Sequence, residues 1–167
     1  TSMVSMPNGK LLCGTTVTPS LGGERKAEVA ELYLLDVETK QVQWHAPLLQ
    51  GAVRYTDMIC GSDGKVYGIT DRKRFFVFDP LERSIAHSVY LDEEQFGATV
   101  NQQAERVFVK TSDGRIFLLF NRGIAQLDPE TYQIHMVAEA PSRIGTGGAY
   151  LDGRIYFGTG SNIYSWQ

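Results

Sequence analysis

The sequence predicts an all-β protein built from repeated four-stranded antiparallel sheets, and two observations carry this prediction. No stretch has helical periodicity, and Gly, β-branched and aromatic residues dominate the apolar segments. In addition, four apolar segments each lead into a two-residue turn, a basic residue and a second apolar segment. These turns are Asn8-Gly9, Asp63-Gly64, Asp113-Gly114 and Asp152-Gly153. Because Asn-Gly and Asp-Gly tolerate positive φ at both positions, each pair predicts a hairpin with a type I′ turn.

A third and a fourth strand follow in three of the repeats. The third strand ends in an aspartate, at Asp36, Asp79 and Asp128. The residues after each aspartate favour a turn, because Asp accepts backbone hydrogen bonds at the first turn position and Pro fits the second. Fourth strands are predicted at residues 41–45, 84–90 and 133–138. The last repeat supplies three strands and closes with residues 163–167.

The three aspartates fall 43 and 49 residues apart, a spacing typical of β-propeller blades. We therefore expect a single array of propeller-type repeats over residues 1–167. Its blades lie near residues 1–47, 55–91, 105–138 and 144–167, and the last lacks its outer strand. Four blades either close as a small propeller or form an arc of a larger ring. Exposed blade edges would favour self-association.

The repeat resembles the PQQ-type propeller repeat of quinoproteins, whose motif reads A-x-D-x-x-T-G-K-x-x-W. The first repeat matches it best, with Asp36, Thr39 and Trp44. The third matches with Asp128 and Thr131 and has Met136 at the tryptophan position, whereas the second matches with Asp79 only. The motif glycine is replaced in the three repeats by Lys40, Arg83 and Tyr132.

The resemblance implies radially packed blades, with the tryptophan docked between neighbouring blades. It also suggests a bacterial periplasmic or secreted location. It does not imply the quinone, since many proteins with this repeat bind none and the sequence has no adjacent cysteine pair. We expect no cofactor.

Composition narrows the class of partner. The chain has 167 residues, 43% apolar and 21% charged, with a formal net charge of −3, as in a soluble globular protein. This balance argues against nucleic-acid binding, and no apolar run reaches the ~20 residues of a membrane span. Cys13 and Cys60 lack metal-ligand spacing and are expected to be two buried free thiols, with a single disulfide as the alternative.

Candidate binding residues lie on one face of the predicted array. Antiparallel connectivity places the short turns on one face and the longer loops on the other, here named the long-loop face, where binding usually resides. The candidates are Arg54, Tyr55, Asp57, Arg72, Arg74, Arg122 and Arg143. Arginines there could grip carboxylates or phosphates bidentately. The same loops carry as many acidic residues, which favours a mixed, solvated surface as the alternative.

Metal binding and catalysis find little support in the sequence. His45, His87 and His135 fall on fourth strands of separate blades and are not expected to converge, so no metal site is predicted. No GxSxG occurs, and the Gly-Thr-Gly segments precede strands and not the helix that a phosphate cradle requires.

Two functions remain. The first is a non-catalytic module that binds a protein or a small ligand, with a carbohydrate as one option, through the long-loop face. The second is a fragment of a larger propeller enzyme, carbohydrate-active or quinone-dependent, whose chemistry lies partly outside this chain.

Overall fold

The computed structural model describes residues 2–7, 9–100 and 106–167, and the chain divides into two compact units. The first unit ends at Val89 and the second begins at Tyr90. Over the described ranges, no helix has the length and apolar character needed to cross a membrane.

The first unit contains two antiparallel sheets whose strands pair in chain order. The first sheet comprises β1 (Ser2–Met6), β2 (Lys10–Gly14), β3 (Leu32–Asp36) and β4 (Gln41–Ala46). The second comprises β5 (Tyr55–Cys60), β6 (Val66–Thr70), β7 (Arg74–Asp79) and β8 (Ser84–Tyr90).

The second unit contains one short helix and two further antiparallel sheets. The helix is α1 (Glu93–Phe96). The third sheet comprises β9 (Phe108–Lys110), β10 (Ile116–Phe120), β11 (Gly123–Leu127) and β12 (Ile134–Glu139). The fourth comprises β13 (Thr146–Leu151), β14 (Arg154–Thr159) and β15 (Asn162–Trp166). The predicted all-β architecture of repeated four-stranded antiparallel sheets is therefore confirmed, with three strands in the fourth sheet.

The predicted type I′ turn is correct at one hairpin and wrong at two. Asp152 and Gly153 have φ of 48° and 78°, as type I′ requires. At Asp63-Gly64 and Asp113-Gly114 only the glycine has positive φ. In the first of these, Gly64 N–H donates to Gly61 O, and the Asp63 carboxylate accepts from Lys65 N–H at 3.2 Å. These loops have three residues, one more than predicted, because the aspartate binds the backbone beyond it and leaves the left-handed position to glycine. Asn8, of the fourth pair, lies outside the described residues.

The turns after the three marker aspartates share one geometry. The carboxylate accepts backbone N–H groups two or three residues later, as Asp36 does from Thr39 at 2.8 Å and Asp79 from Leu81 at 2.9 Å. Four residues after each aspartate the backbone turns left-handed, with φ of 57°, 52° and 60° at Lys40, Arg83 and Tyr132. A non-glycine residue thus occupies a left-handed position in every one of these turns.

Each unit has its own hydrophobic core between its two sheets. In the first unit, buried Leu12 and Phe76 belong to a cluster that also includes Phe78, and the ring of Trp44 stacks on Phe78 at a centroid distance of 5.7 Å. In the second unit, Trp166 packs edge-on against buried Phe117 at 5.5 Å. An aromatic side chain from an outer position therefore joins the two sheets of each unit.

Candidate functional site

The seven predicted binding residues divide between the two units. The first unit holds Arg54, Tyr55, Asp57, Arg72 and Arg74, and the second holds Arg122 and Arg143.

Tyr55 lies in the core of the first unit. Its side chain is fully buried, and its ring meets Phe76 edge-on at 5.5 Å. Gly14 allows this approach, since a Cβ on Gly14 would lie 2.2 Å from the Tyr55 Cβ. Burial raises the pKa of the Tyr55 hydroxyl, which has no hydrogen-bond partner in the described part of the chain. Tyr55 therefore shapes the core and offers no surface to a ligand.

The Arg54 backbone is held by a neighbouring carboxylate. The Asp71 carboxylate accepts from Arg54 N–H and Val53 N–H, both at 3.0 Å, while Asp71 N–H donates to Arg54 O. Arg72 follows in a left-handed conformation, with its N–H donating to Thr56 Oγ1 at 3.0 Å. Asp71 therefore joins the turn between β6 and β7 to the link that precedes β5. Its place in the sequence does not reveal this role.

Arg74 and Asp57 also make contacts within the first unit. Arg74 Nε donates to Ser88 Oγ at 2.7 Å and Nη1 to Gln50 O at 3.2 Å. The Asp57 carboxylate accepts from Met58 N–H at 2.9 Å. Arg74 thus ties β7 to β8 and to the link that precedes β5.

Arg122 and Arg143 line the same cavity, of about 660 Å³, in the second unit. We name this cavity the Arg122 cleft. Its remaining walls are Glu94, Gln95, Asn121, Met136, Glu139, Ala140 and Ser142. Two of the cations predicted from separate loops therefore come together, and two glutamates lie beside them.

The turn between β10 and β11 positions the centre of the Arg122 cleft. Asn121 N–H donates to Ala98 O at 2.8 Å, and Asn121 O accepts from Ile144 N–H at 2.9 Å. Arg122 O accepts from Ala140 N–H at 2.8 Å. Main-chain hydrogen bonds from this two-residue turn therefore hold the connection between β8 and β9 and the connection between β12 and β13.

Helix α1 forms one wall of the cleft. The Asp92 carboxylate caps it by accepting from Glu94 N–H at 2.9 Å, and buried Phe96 stacks on Phe120 at 5.1 Å. Gly97 has a φ of 74°, and a Cβ there would lie 2.1 Å from Asn121 Oδ1. Glycine is thus required where the helix meets the turn.

The lining combines both charges with an unsatisfied acceptor. Arg122 Nη1 donates to Glu94 O, whereas Arg143 is exposed and forms no ion pair with any residue the structure describes. Asn121 Oδ1 is buried and has no hydrogen-bond partner in the described ranges. Such an orphaned acceptor costs about 1–3 kcal/mol, and its burial beside Gly97 keeps it from a ligand. Arg143 together with Glu94 and Glu139 can still receive a group that carries both a carboxylate and hydrogen-bond donors.

Sequence reasoning missed helix α1 and most of the cleft walls. A four-residue helix is too short to show periodicity. The available signal was Asp92 with Gln95 three residues later, the spacing of a capping box. Met136, which stands at the motif tryptophan position, lines the cleft.

No histidine or cysteine is among the residues that line the cleft. His45 Nδ1 lies 2.7 Å from Glu31 Oε2 on the first sheet, and His87 lies beside the Phe75 ring on the second. Within the described residues, no three His, Cys, Asp or Glu side chains are grouped to hold a metal. Cys13 and Cys60 are both free thiols; Cys13 is buried as expected, whereas Cys60 is only half-buried.

No protein-family model matches the chain, and no curated protein matches it. Solved structures are similar in fold. The extracellular domain of BT4673 from B. thetaiotaomicron superposes with a TM-score of 0.68 at 13% identity, over 98% of this chain and 22% of that chain. The Dos1 propeller superposes with a TM-score of 0.65 at 11% identity, over 99% of this chain and 40% of that one.

BamB from Moraxella catarrhalis gives a TM-score of 0.61 at 16% identity, over 98% of this chain and 45% of that one. This chain thus spans less than half the length of each of these structures. At such low identities the likeness concerns the fold alone, and it confirms that the repeated sheets are β-propeller blades.

Proposed function

We propose that this chain is a non-catalytic β-propeller module that binds a protein segment or a small ligand through long loops, with the Arg122 cleft as the site. The observation that carries the proposal is the convergence of Arg122 and Arg143 on one cavity of about 660 Å³. Cavities of this size suit small ligands or a few residues of a partner.

The charges of the cleft favour a ligand with groups of both signs. A carboxylate would pair with the Arg143 guanidinium, and ammonium or amide N–H groups would pair with Glu94 and Glu139. The C-terminal carboxylate of a peptide, together with the backbone N–H groups that precede it, has this arrangement. The alternative function, a fragment of a larger propeller enzyme, has no specific observation in its favour and stays a prediction.

We also propose that the repeats are PQQ-like in sequence, without a quinone. Trp44 stacks between two sheets at the motif tryptophan position. The left-handed φ values of Lys40, Arg83 and Tyr132 fall where the motif has glycine, which supports descent from a glycine-containing turn.

Binding at the cleft is tested by NMR with a panel of dipeptides that have free C-termini. The same dipeptides with amidated C-termini serve as the ligand control. We expect the free dipeptides to shift the backbone amide signals of Asn121, Arg122 and Arg143, and the amidated ones to shift them less.

Arg143→Gln is the informative variant, because it removes the charge of a side chain with no described structural role. It should weaken dipeptide binding about tenfold, the effect of losing one charge-assisted hydrogen bond. Arg154→Gln, an exposed arginine elsewhere in the second unit, is the matched control and should bind like the parent. Equal affinity for Arg143→Gln and the parent, or shifts that avoid the cleft, would overturn the proposal.

A further inference from the structure

A second concave surface lies on the short-turn side of the first unit, where sequence reasoning expected only tight turns. We name this cavity, of about 420 Å³, the turn groove. It runs between the first and second sheets, and its lining includes Met6, Lys10 and Leu34 from the first sheet and Leu81 and Arg83 from the turn after β7. All of these residues belong to the first unit, so the turn groove is separate from the Arg122 cleft.

The floor of the turn groove is apolar, and an apolar side chain also stands at its rim. Met6 and Leu34 are partly buried and pack against the core of the first unit, so the groove opens onto that core. Leu81 stands at its rim with 92% of its surface exposed. A large aliphatic side chain left in water beside an apolar floor marks a contact surface, because burying it against a partner removes apolar area from water.

The charge of the turn groove is positive in a chain whose net charge is −3. Lys10, Lys65 and Arg83 line it, against Asp63 and Asp79. Both carboxylates are already engaged by their own turns.

Asp79 Oδ1 accepts from Leu81 N–H at 2.9 Å and Glu82 N–H at 3.2 Å. Asp63 Oδ2 accepts from Tyr67 Oη at 2.7 Å. The bonds direct these carboxylates toward the protein, and the longer cationic side chains extend further from the backbone.

The Lys10 ammonium has a neighbour in Asp36, its cross-strand partner. The pKa of Asp36 is held below its usual value first by the backbone N–H and hydroxyl of Thr39, and Lys10 makes only the smallest contribution. Lys10 forms no ion pair with any residue that the structure describes, so its charge can meet another anion.

We propose that the turn groove binds an acidic peptide segment of a partner protein, with an aliphatic side chain flanked by carboxylates. The aliphatic side chain packs on Met6, Leu34 and Leu81. The flanking carboxylates pair with Arg83 and Lys10 at the rim. The apolar contact supplies affinity, and the charge pairs supply selectivity for acidic over basic segments.

The probe is a fluorescent peptide with the core Glu-Leu-Glu-Leu-Glu and Gly-Ser flanks, measured by anisotropy. Its controls are peptides with every Glu changed to Lys and with every Leu changed to Ala. We expect binding of the acidic peptide only, and weakening as salt rises.

Two charge reversals form a matched pair. Arg83 and Lys40 occupy the same left-handed turn position in neighbouring sheets, yet only Arg83 lines the groove. Arg83→Glu should weaken peptide binding about tenfold, as expected for a rim cation replaced by an anion, and Lys40→Glu should leave it unchanged.

The apolar contact has a matched pair as well. Leu81→Asp should weaken binding about tenfold or more. Leu21→Asp alters an equally exposed leucine in the long loop between β2 and β3, and it should bind like the parent.

Equal binding of the three peptides, or equal effects of Arg83→Glu and Lys40→Glu, would overturn the proposal. Self-association without peptide binding would also overturn the proposal. The molar mass measured by light scattering would then rise with protein concentration, and Leu81→Asp would abolish the rise. The occupant of the groove would be a second copy of this chain. The Arg143→Gln variant should bind the acidic peptide normally, so failure at one site is distinguishable from failure at the other.

Discussion

The ring centroids of Trp44 and Phe78 lie 5.7 Å apart, with 25° between the two ring planes. Trp44 belongs to the fourth strand of the first sheet and Phe78 to the third strand of the second. This stacked pair therefore joins consecutive sheets of the first unit through side chains alone.

Trp44→Ala should lower the free energy of unfolding by about 3 kcal/mol, because it removes a large aromatic contact and leaves a void beside Phe78. Urea denaturation measures the change. Val42→Ala is the control, since Val42 lies on the same strand with 52% of its surface exposed and should change stability by less than about 0.5 kcal/mol. Similar losses for both variants would mean that the stacked pair does not join the sheets.

Lys40→Gly should raise the free energy of unfolding by about 1 kcal/mol. Lys40 has a φ of 57°, a conformation that strains a residue with a Cβ and costs glycine nothing. Lys40→Ala keeps the Cβ and removes the same charge, so it should not produce the gain. Thermal unfolding of the three proteins decides between relief of strain and loss of charge.

Thr131→Val should raise the pKa of the Asp128 carboxyl toward its usual value. The Thr131 hydroxyl donates to Asp128 at 2.8 Å and is the largest cause of the lowered pKa. A lowered folded-state pKa stabilises the fold above the unfolded carboxyl pKa of about 3.9, and this stabilisation is lost as pH falls through the folded value. The free energy of unfolding of the variant should therefore depend less on pH in the acid range.

NMR titration of the carboxyl carbons measures the change at Asp128, and Asp36 provides the comparison. The backbone N–H of Thr39 is the largest cause of the lowered Asp36 pKa, and it survives in Thr39→Val. The pKa rise at Asp36 in that variant should be the smaller of the two, and the reverse order would contradict the assignment.

Iodoacetamide at neutral pH should modify Cys60 before Cys13. Cys13 is 3% exposed, and burial raises the pKa of its thiol, with partial opposition from the hydrogen bond with Tyr33. Less thiolate and less access both slow alkylation. Peptide mass spectrometry follows each site, and labelling in urea, where the two rates should converge, is the control. Faster labelling of Cys13 in the folded protein would contradict its burial.

The strands were predictable because their signals are local. Asp-Gly pairs, apolar alternation and the aspartate that ends each third strand act within a few residues, so β3 ends at Asp36 and β8 spans Ser84–Tyr90 as expected. Turn geometry was less predictable. Whether Asp63 adopts positive φ depends on its bonds to Lys65 and Tyr67, and composition alone does not reveal these.

The candidate binding residues were predictable only as a set of loop residues. Connectivity places cations on the long-loop face, but it cannot distinguish Arg74, which is engaged by Ser88 and Gln50, from exposed Arg143. The burial of Tyr55 depends on the space left by Gly14, a contact between different sheets. Contacts with residues distant in the sequence therefore decide which candidate residues remain accessible to a ligand.

The turn at Asn121 and Arg122 bears on how the specificity of the proposed site could change. The bonds that hold the two long connections there come from main-chain groups to Ala98, Ala140 and Ile144. Main-chain bonds persist when side chains are exchanged, so positions such as 143 can acquire new chemistry while the walls of the cleft keep their spacing. Single substitutions could therefore change the ligand while the backbone around the cleft stays the same. One inserted residue in that turn would instead break the main-chain hydrogen bonds that hold the walls.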